Sequence, residues 1–173
     1  MATKRCLFFK WTIAMIKVIY PGSFDPITNG HVDIIQRLHP VFDEVVVLVA
    51  DSLNKKYMFS SKERFELCQK SLEHLPGVKV DVYDGLTVDY AKNIGAKAIV
   101  RGIRAVSDFE HESAIANINK SMAPDIETFI VLAKPELSYV ASRLVKEIAV
   151  NGGKLTGLVP TIVEQALKQK INK

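Results

Sequence analysis

The sequence predicts an α/β fold, built as one doubly wound parallel sheet of five strands with helices on both faces. Short apolar, β-branched runs alternate with helical patterns along the chain, which is the arrangement produced by βαβ units. The run from Val45 to Val49 is apolar at every position, as expected for a central strand covered on both faces. A length of 173 residues suits a single domain. Together these features predict a single-domain, Rossmann-like architecture.

The individual elements follow from the same patterns. We predict strands at 17–20, 44–50, 78–82, 98–101 and 128–132. We predict helices at 30–38, 62–75, 88–94, 109–121, 142–151 and 160–169. Ser60 and Glu63 have the spacing of a capping box at the start of the second helix. Asn151-Gly152-Gly153 predicts the end of the fifth helix.

The composition excludes several classes of protein. No apolar run approaches the roughly 18 residues of a membrane helix, so we expect no membrane partner and a cytoplasmic location. Cys6 and Cys68 lack metal-ligand spacing, and Cys68 is predicted to be a buried apolar residue in a helix. Residues 1–15 are predicted to form an N-terminal extension, with Met15 as an alternative start, and residues 16–173 to form the domain. The apolar part of the extension is too short for a signal peptide.

The charge of the chain is mildly basic. A net charge of +4 and a pI near 9.0 would suit either nucleic acid or phosphorylated small molecules. The basic residues are dispersed, without a Lys/Arg run or interleaved aromatic residues. We therefore expect small phosphorylated ligands and no nucleic-acid partner.

The stretch from Gly22 to His31, G-S-F-D-P-I-T-N-G-H, directly follows the first predicted strand. In an open parallel sheet, a turn at the carboxyl end of a strand faces ligand. Gly30 lets the backbone approach a bound group, and a helix N-terminus there presents N–H donors to phosphate. His31 adds an imidazole that can donate to a phosphate oxygen. The stretch predicts a nucleotide phosphate site.

Residues Thr28 to His31, T-N-G-H, resemble the (H/T)-x-G-H signature of the nucleotidyltransferase superfamily. The longer string Y-P-G-S-F-D-P-I-T-N-G-H-V-D-I-I resembles the phosphopantetheine adenylyltransferase family of coenzyme A biosynthesis. Three later segments agree in order: S-x-N-K-K-Y-M-F from Ser52, R-G-I-R-A-V-S-D-F-E-H-E from Arg101 and L-V-K-E-I-A from Leu144. The resemblance covers about residues 16–170 and implies transfer of AMP from ATP to 4′-phosphopantetheine, giving dephospho-coenzyme A and pyrophosphate.

The resemblance implies that His31 and Lys55 are the catalytic residues. Because the acceptor is already an anion, the reaction needs positioning and charge neutralisation rather than a protein nucleophile. We expect His31 to stabilise the pentacovalent phosphorus through a hydrogen bond to one of its oxygens. Lys55, in a polar loop after the second predicted strand, is expected to bind the acceptor phosphate and the developing charge.

Further ligand contacts are carried over from the same resemblance. ATP is expected to contact Ser23, Phe24, His31, Gly102, Ile103, Arg104, Glu112, Leu137, Ser138, Tyr139, Val140, Ala141, Ser142 and Arg143. Phosphopantetheine is expected to contact Ser23, Lys55, Thr87 and Arg101. An arginine suits this role because its planar fork of donors matches a phosphate group.

The last block departs from the family pattern I-S-S-S-x-V-K-E. Here the stretch from Val140 reads V-A-S-R-L-V-K-E, so Ala141 and Arg143 replace two serines and Ser142 remains. Backbone N–H groups at this helix start could still hold the β,γ-phosphates. Arg143 either adds charge to that site or points to solvent.

The resemblance also implies partners. Mg²⁺ is expected to arrive with ATP, held by phosphate oxygens and water, with no protein metal ligand. A homo-oligomer, hexameric in the family, and feedback binding of coenzyme A are expected. One alternative is a related transferase with another acceptor, such as a nicotinate-mononucleotide adenylyltransferase or a cytidylyltransferase, although the later blocks argue against it. Another is a basic nucleic-acid-binding or regulatory module that keeps a nucleotide pocket without turnover.

Overall fold

The computed structural model describes residues 15–52 and 55–172. One parallel sheet, in the order β3-β2-β1-β4-β5, contains β1 (Lys17–Gly22), β2 (Glu44–Ala50), β3 (Val78–Tyr83), β4 (Ala98–Ile103) and β5 (Glu127–Leu132). The helices are α1 (Asn29–Leu38), α2 (Ser61–Leu72), α3 (Thr87–Asn93), α4 (Val106–Met122), α5 (Ser142–Val150) and α6 (Thr161–Ile171). Cys6 and nearly all of the predicted N-terminal extension lie outside the described residues.

The predicted fold class is confirmed, and each predicted strand and helix is present with ends shifted by a few residues. The capping box at α2 forms, since Ser60 N–H donates to Glu63 Oε2 at 2.7 Å and Glu63 N–H donates to Ser60 Oγ at 3.2 Å. Helix α4 begins three residues earlier than predicted, at Val106. The Asp108 carboxylate accepts the backbone N–H of Arg104 at 3.0 Å, which stabilises that earlier start.

The central strands β1, β2 and β4 are covered on both faces of the sheet. Alternate residues of β1 enter different clusters, with Val18 and Tyr20 on one face and Ile19 on the other. The first face packs against α1, α2, α5 and α6, whereas the second packs against α3 and the segment that follows α4. Cys68 is fully buried in the first cluster, as predicted, and burial raises the pKa of its thiol. None of the helices in the described ranges combines the length and hydropathy needed to span a bilayer.

The strand order places a switch point between β1 and β4. From β1 the chain passes through α1 to β2 and through α2 to β3, which lie on one side of β1. The strands β4 and β5 lie on the other side of β1 in the same sheet. In open parallel sheets, the crevice at the carboxyl ends of strands beside such a switch point is where ligands bind. The turn after β1 and the segment after β4 therefore flank the same crevice.

Candidate active site

A cavity of about 610 Å³ opens at the carboxyl ends of β1 and β4. Five stretches that are distant in sequence line it: the turn after β1 with the start of α1, the loop after β2, the end of β4, one residue of α4 and the approach to α5. Most of the sequence-predicted ligand residues lie around this cavity, namely Ser23, Phe24, His31, Lys55, Arg101, Gly102, Arg104, Glu112, Leu137, Val140, Ala141, Ser142 and Arg143.

Four predicted ligand residues do not line the cavity. Thr87 begins α3 after β3, which is the edge strand and is separated from β1 by β2. Ile103 is buried, while Tyr139 points outward with 64% of its surface exposed. The Ser138 hydroxyl donates to the Pro135 carbonyl at 2.9 Å. For these residues the contact carried over from the resemblance stays a prediction.

His31 serves both as a helix cap and as part of the cavity wall. Its Nδ1 lies 3.0 Å from the backbone N of Thr28 and 2.9 Å from Thr28 Oγ1. A backbone N–H can only donate, so Nδ1 accepts and carries no proton. The neutral ring therefore holds its proton on Nε2. Local helix capping fixes the tautomer that leaves one N–H free to donate to a ligand.

The environment of His31 keeps the ring neutral. Burial, and secondly the positive charge of Arg104, lower the pKa of His31 from 6.5 to about 4. The Phe24 ring packs edge-on against the imidazole, with centroids 5.1 Å apart. At neutral pH the imidazole can therefore donate a hydrogen bond but holds almost no extra proton.

The turn after β1 is shaped by close packing. Phe24 adopts a φ of 46°, a left-handed conformation that non-glycine residues rarely adopt, and its ring is 2% exposed. A Cβ at Gly22 would lie 2.9 Å from Cζ of Phe24, so only glycine lets the ring fold back over β1. A Cβ at Gly102 would meet Ile34 Cδ1 at 2.5 Å. A side chain at position 102 would therefore require the buried Ile34 side chain to shift, apart from any approach of a ligand.

Lys55 and Ser23 meet at one wall of the cavity. Lys55 Nζ donates to Ser23 Oγ at 3.2 Å, although 32 positions separate the two residues. The lysine is exposed, so its ammonium remains accessible to a ligand. The two side chains predicted to bind the acceptor phosphate from the β1 and β2 sides therefore share one location.

Arg101 and Glu112 form a two-point ion pair in the cavity. Arg101 Nε lies 2.5 Å from Glu112 Oε2, and Arg101 Nη2 lies 2.8 Å from Glu112 Oε1. Arg101 Nη1 also donates to the Pro21 carbonyl at 3.2 Å. The guanidinium has five N–H donors, so two remain for a ligand. The pair fixes the fork of Arg101 while leaving it able to bind a phosphate.

The start of α5 contributes backbone donors and charge. The Ser142 hydroxyl donates to the Pro26 carbonyl at 2.8 Å, so its proton is already used inside the protein. Ala141 has no hydroxyl, and Arg143 occupies the third position of the family's serine triplet. Arg143 lines the cavity and is exposed. An anion bound here would meet a guanidinium and helix N–H groups instead of hydroxyl donors.

The cavity has a strong excess of positive charge. Its basic side chains are Lys55, Lys56, Arg101, Arg104, Arg143 and Lys146. Its carboxylates are Asp25 and Glu112, which are paired with Lys146 and Arg101, respectively. The described residues contain no cluster of three or more His, Cys, Asp or Glu suited to a metal ion. The site therefore favours a polyanion, and its carboxylates are engaged by protein cations.

Sequence reasoning missed several lining residues, of which Asp25 and Lys146 are the most informative. The sequence presents Asp25 only as part of the stretch from Gly22 to His31, and Lys146 only as part of the L-V-K-E-I-A block. Lys146 Nζ lies 2.5 Å from Asp25 Oδ2 across 121 positions of sequence. The available signal was that both residues belong to motif blocks, although nothing in either block indicates the other as its partner.

The lowered pKa of His31 predicts a pH-dependent contribution to stability. In the unfolded chain the imidazole gains a proton near pH 6.5, whereas in the folded protein it does so only near pH 4. The contribution is therefore fully present above the unfolded pKa and is lost as the pH falls from 6.5 towards 4. Its upper limit is about 3 kcal/mol.

Denaturant unfolding of wild type and His31→Gln across that pH range measures the effect. Glutamine at this position can still accept from the Thr28 N–H, as in a capping box, and does not titrate. We expect the wild type to lose more unfolding free energy on acidification than the variant. Equal losses in the two proteins would contradict a neutral imidazole at this position.

Comparison with known proteins gives one consistent family. A family model described as cytidylyltransferase-like matches residues 19–148. A phosphopantetheine adenylyltransferase of Bdellovibrio bacteriovorus is 59% identical over 155 residues, covering 90% of this chain and 97% of that protein. The phosphopantetheine adenylyltransferase of Desulforudis audaxviator is 52% identical, covering 88% of this chain and 93% of that protein.

A solved structure supports the fold independently. It is a Vibrio parahaemolyticus protein assigned as a nicotinate-nucleotide adenylyltransferase, with a TM-score of 0.69 and 20% identity, covering 91% of this chain and 95% of that chain. At that identity the likeness concerns the fold alone. The curated relatives match almost end to end, and the cavity lies on the motifs that the sequence shares with their family. This chain belongs to the phosphopantetheine adenylyltransferase family.

Proposed function

We propose that this nucleotidyltransferase moves AMP from ATP to 4′-phosphopantetheine, giving dephospho-coenzyme A and pyrophosphate, with His31 and Lys55 as its catalytic residues. The observation that carries the residue assignment is the meeting of a neutral, capped His31, the Lys55–Ser23 contact and Arg101 in one cavity. The choice of acceptor rests on relatives at 46–59% identity over about 90% of the chain.

The chemistry needs no protein nucleophile. An oxygen of the acceptor's phosphate attacks the α-phosphorus of ATP and forms the new P–O bond. The bond from that phosphorus to the bridging oxygen breaks, and pyrophosphate leaves with the electron pair. Negative charge spreads over the oxygens of the pentacovalent phosphorus, so preorganised donors aimed at those oxygens lower the barrier.

His31 and Lys55 supply those donors. The Nε2–H of His31 donates a hydrogen bond and keeps its proton, since the neutral ring is the stable form at physiological pH. Lys55 supplies a full positive charge beside Ser23, where it meets both the acceptor phosphate and the developing charge. His31 is thus a directional neutral donor, and Lys55 is a separate cation.

Arg101 and Glu112 are assigned to opposite substrates. The two free N–H groups of Arg101 bind the acceptor phosphate while its ion pair with Glu112 stays intact. Glu112 can still accept a hydrogen bond from a nucleotide hydroxyl, because each carboxylate oxygen accepts more than one. The pair therefore connects the acceptor side of the cavity to the nucleotide side.

The remaining assignments complete the proposal. The triphosphate lies at the start of α5, bound by backbone N–H groups and Arg143. Asp25 and Glu112 are already paired with protein cations, so Mg²⁺ would be bound by the phosphate oxygens of ATP and by water, and would supply positive charge to the triphosphate. Coenzyme A keeps the pantetheine and adenine nucleotide of the product, so it suits the same cavity as a feedback ligand.

The chain is further proposed to form a homo-oligomer, hexameric by resemblance, in the cytoplasm. Large apolar side chains on α4 and β5 are exposed in the single chain, including Val106 at 83% and Leu132 at 67%. Contact between copies would cover such surface. This supports self-association without fixing the number of subunits.

Pyrophosphate release from ATP and Mg²⁺, with and without 4′-phosphopantetheine, tests the reaction. We expect release that depends on the acceptor, and a fall of kcat by about 100-fold or more in His31→Ala, as when a preorganised donor is lost. Nicotinate mononucleotide serves as the control acceptor. The proposal would be contradicted by pyrophosphate release that does not depend on phosphopantetheine, or by release that is equally fast with nicotinate mononucleotide.

Arg143→Ser restores the serine that the family carries and tests the triphosphate site. We expect the KM for ATP to rise about 3- to 10-fold at low salt, since an exposed charge-assisted contact is lost. The rise should shrink as ionic strength increases, because salt screens the guanidinium in the wild type. Lys168→Ser, on the surface of α6, is the matched control. An unchanged KM would mean that Arg143 points to solvent.

A further inference from the structure

Two of the cavity-lining lysines, Lys55 and Lys56, lie on a short segment whose C-terminal end is held by hydrogen bonds. We call residues 55–59 the lysine loop; Lys55, Lys56 and Tyr57 line the cavity, and Met58 and Phe59 follow directly. Within the part of the chain that the structure describes, Lys55 makes one side-chain hydrogen bond, to Ser23 Oγ. The backbone that carries Lys55 therefore limits where its ammonium can reach.

A buried carboxylate holds that backbone. Asp25 is 4% exposed, and its Oδ1 accepts the Phe59 N–H at 3.0 Å while its Oδ2 accepts the Met58 N–H at 3.1 Å. Hydrogen bonds from two consecutive amides to one carboxylate fix both the position and the direction of the chain. Asp25 follows the Ser23-Phe24 pair directly, so the two walls of the cavity are joined here.

The same carboxylate holds α5. Lys146 Nζ lies 2.5 Å from Asp25 Oδ2, and the neighbouring Pro26 carbonyl accepts the Ser142 hydroxyl. Lys146 also lines the cavity. The turn at Asp25-Pro26 therefore connects the lysine loop, which serves the acceptor side, to the start of α5, which serves the nucleotide side.

Arg64 reinforces the end of the lysine loop. It is 1% exposed and donates to the carbonyls of Phe59 at 3.2 Å and Ser23 at 2.6 Å. Phe59 is thus held through its N–H by Asp25 and through its carbonyl by Arg64. A buried ion held by several partners costs stability when any partner is removed, so this arrangement resists loosening.

We propose that Asp25 is a positioning residue for the transfer reaction: through Met58 and Phe59 it sets where Lys55 meets the phosphates, and through Lys146 it keeps the start of α5 in register with that lysine. The inference rests on the proposed function for its chemical consequence. Its structural content, an anchored lysine loop, stands independently of the reaction.

Limited trypsin digestion tests the anchor. Trypsin cleaves after Lys55 and Lys56. The fragment masses identify cleavage at these sites, and the time course of the fragments gives its rate. We expect Asp25→Asn to raise that rate about tenfold or more, since the amide cannot accept both N–H groups and pair with Lys146. Glu164→Gln is the matched control, because Glu164 pairs with Lys168 on the surface of α6. An unchanged rate in Asp25→Asn would overturn the proposal.

A double-variant comparison tests the link to Lys55. We expect Asp25→Asn to lower kcat about tenfold or more in the wild type but less than about twofold in a Lys55→Ala background, where the lysine it positions is gone. A general structural defect would lower kcat equally in both backgrounds, and that result would overturn the proposal. Inactive wild type would instead refute the proposed function, and the digestion would still decide the anchor.

Asp25→Glu keeps the experiment decisive if Asp25→Asn does not fold. It retains the negative charge opposite Lys146 but displaces the carboxylate by one methylene. We expect faster cleavage at the lysine loop. We also expect kcat to fall when Lys55 is present and to stay nearly unchanged when Lys55 is replaced by alanine. Wild-type cleavage and wild-type kcat in this variant would overturn the proposal.

Discussion

The common direction of the five strands is the constraint on which the site depends. Because every strand of a parallel sheet ends at the same edge, the segments after β1, β2 and β4 meet there although they are far apart in sequence. Helix α1, which follows β1, packs on one face, and the segment that follows α4 packs on the other, and this divergence leaves the crevice open. The apolar strands position the site, whereas most of its charged side chains lie in the segments that follow the strands.

The chemistry is divided between a neutral donor and separate cations. His31 is held in one tautomer by the Thr28 N–H, and its burial keeps it uncharged. Among the described residues, six lysine and arginine side chains around the cavity supply the positive charge, and its two carboxylates are both paired with such cations. Such a site favours a polyanion and presents one directional N–H to the cavity, which is the arrangement that the proposed transfer requires.

The sequence predicted the features that depend on local patterns. Strand and helix positions followed from periodicity, and the Ser60–Glu63 cap formed as expected because it needs only neighbouring residues. Contacts between residues that are distant in sequence could not be predicted from local patterns. The Asp25–Lys146 contact spans 121 positions, and neither residue carries a local signal for its partner. The Arg101–Glu112 pair was likewise predicted as two separate ligands.

The tautomer and charge of His31 carry the central claim, and nitrogen-15 NMR of the histidine side chains measures both directly. We expect His31 to be neutral with its proton on Nε2 at every pH above about 5, and to titrate near pH 4. A proton on Nδ1, or an imidazolium at pH 6.5, would contradict the account, because the ring would then either break its bond to Thr28 or act as a cation.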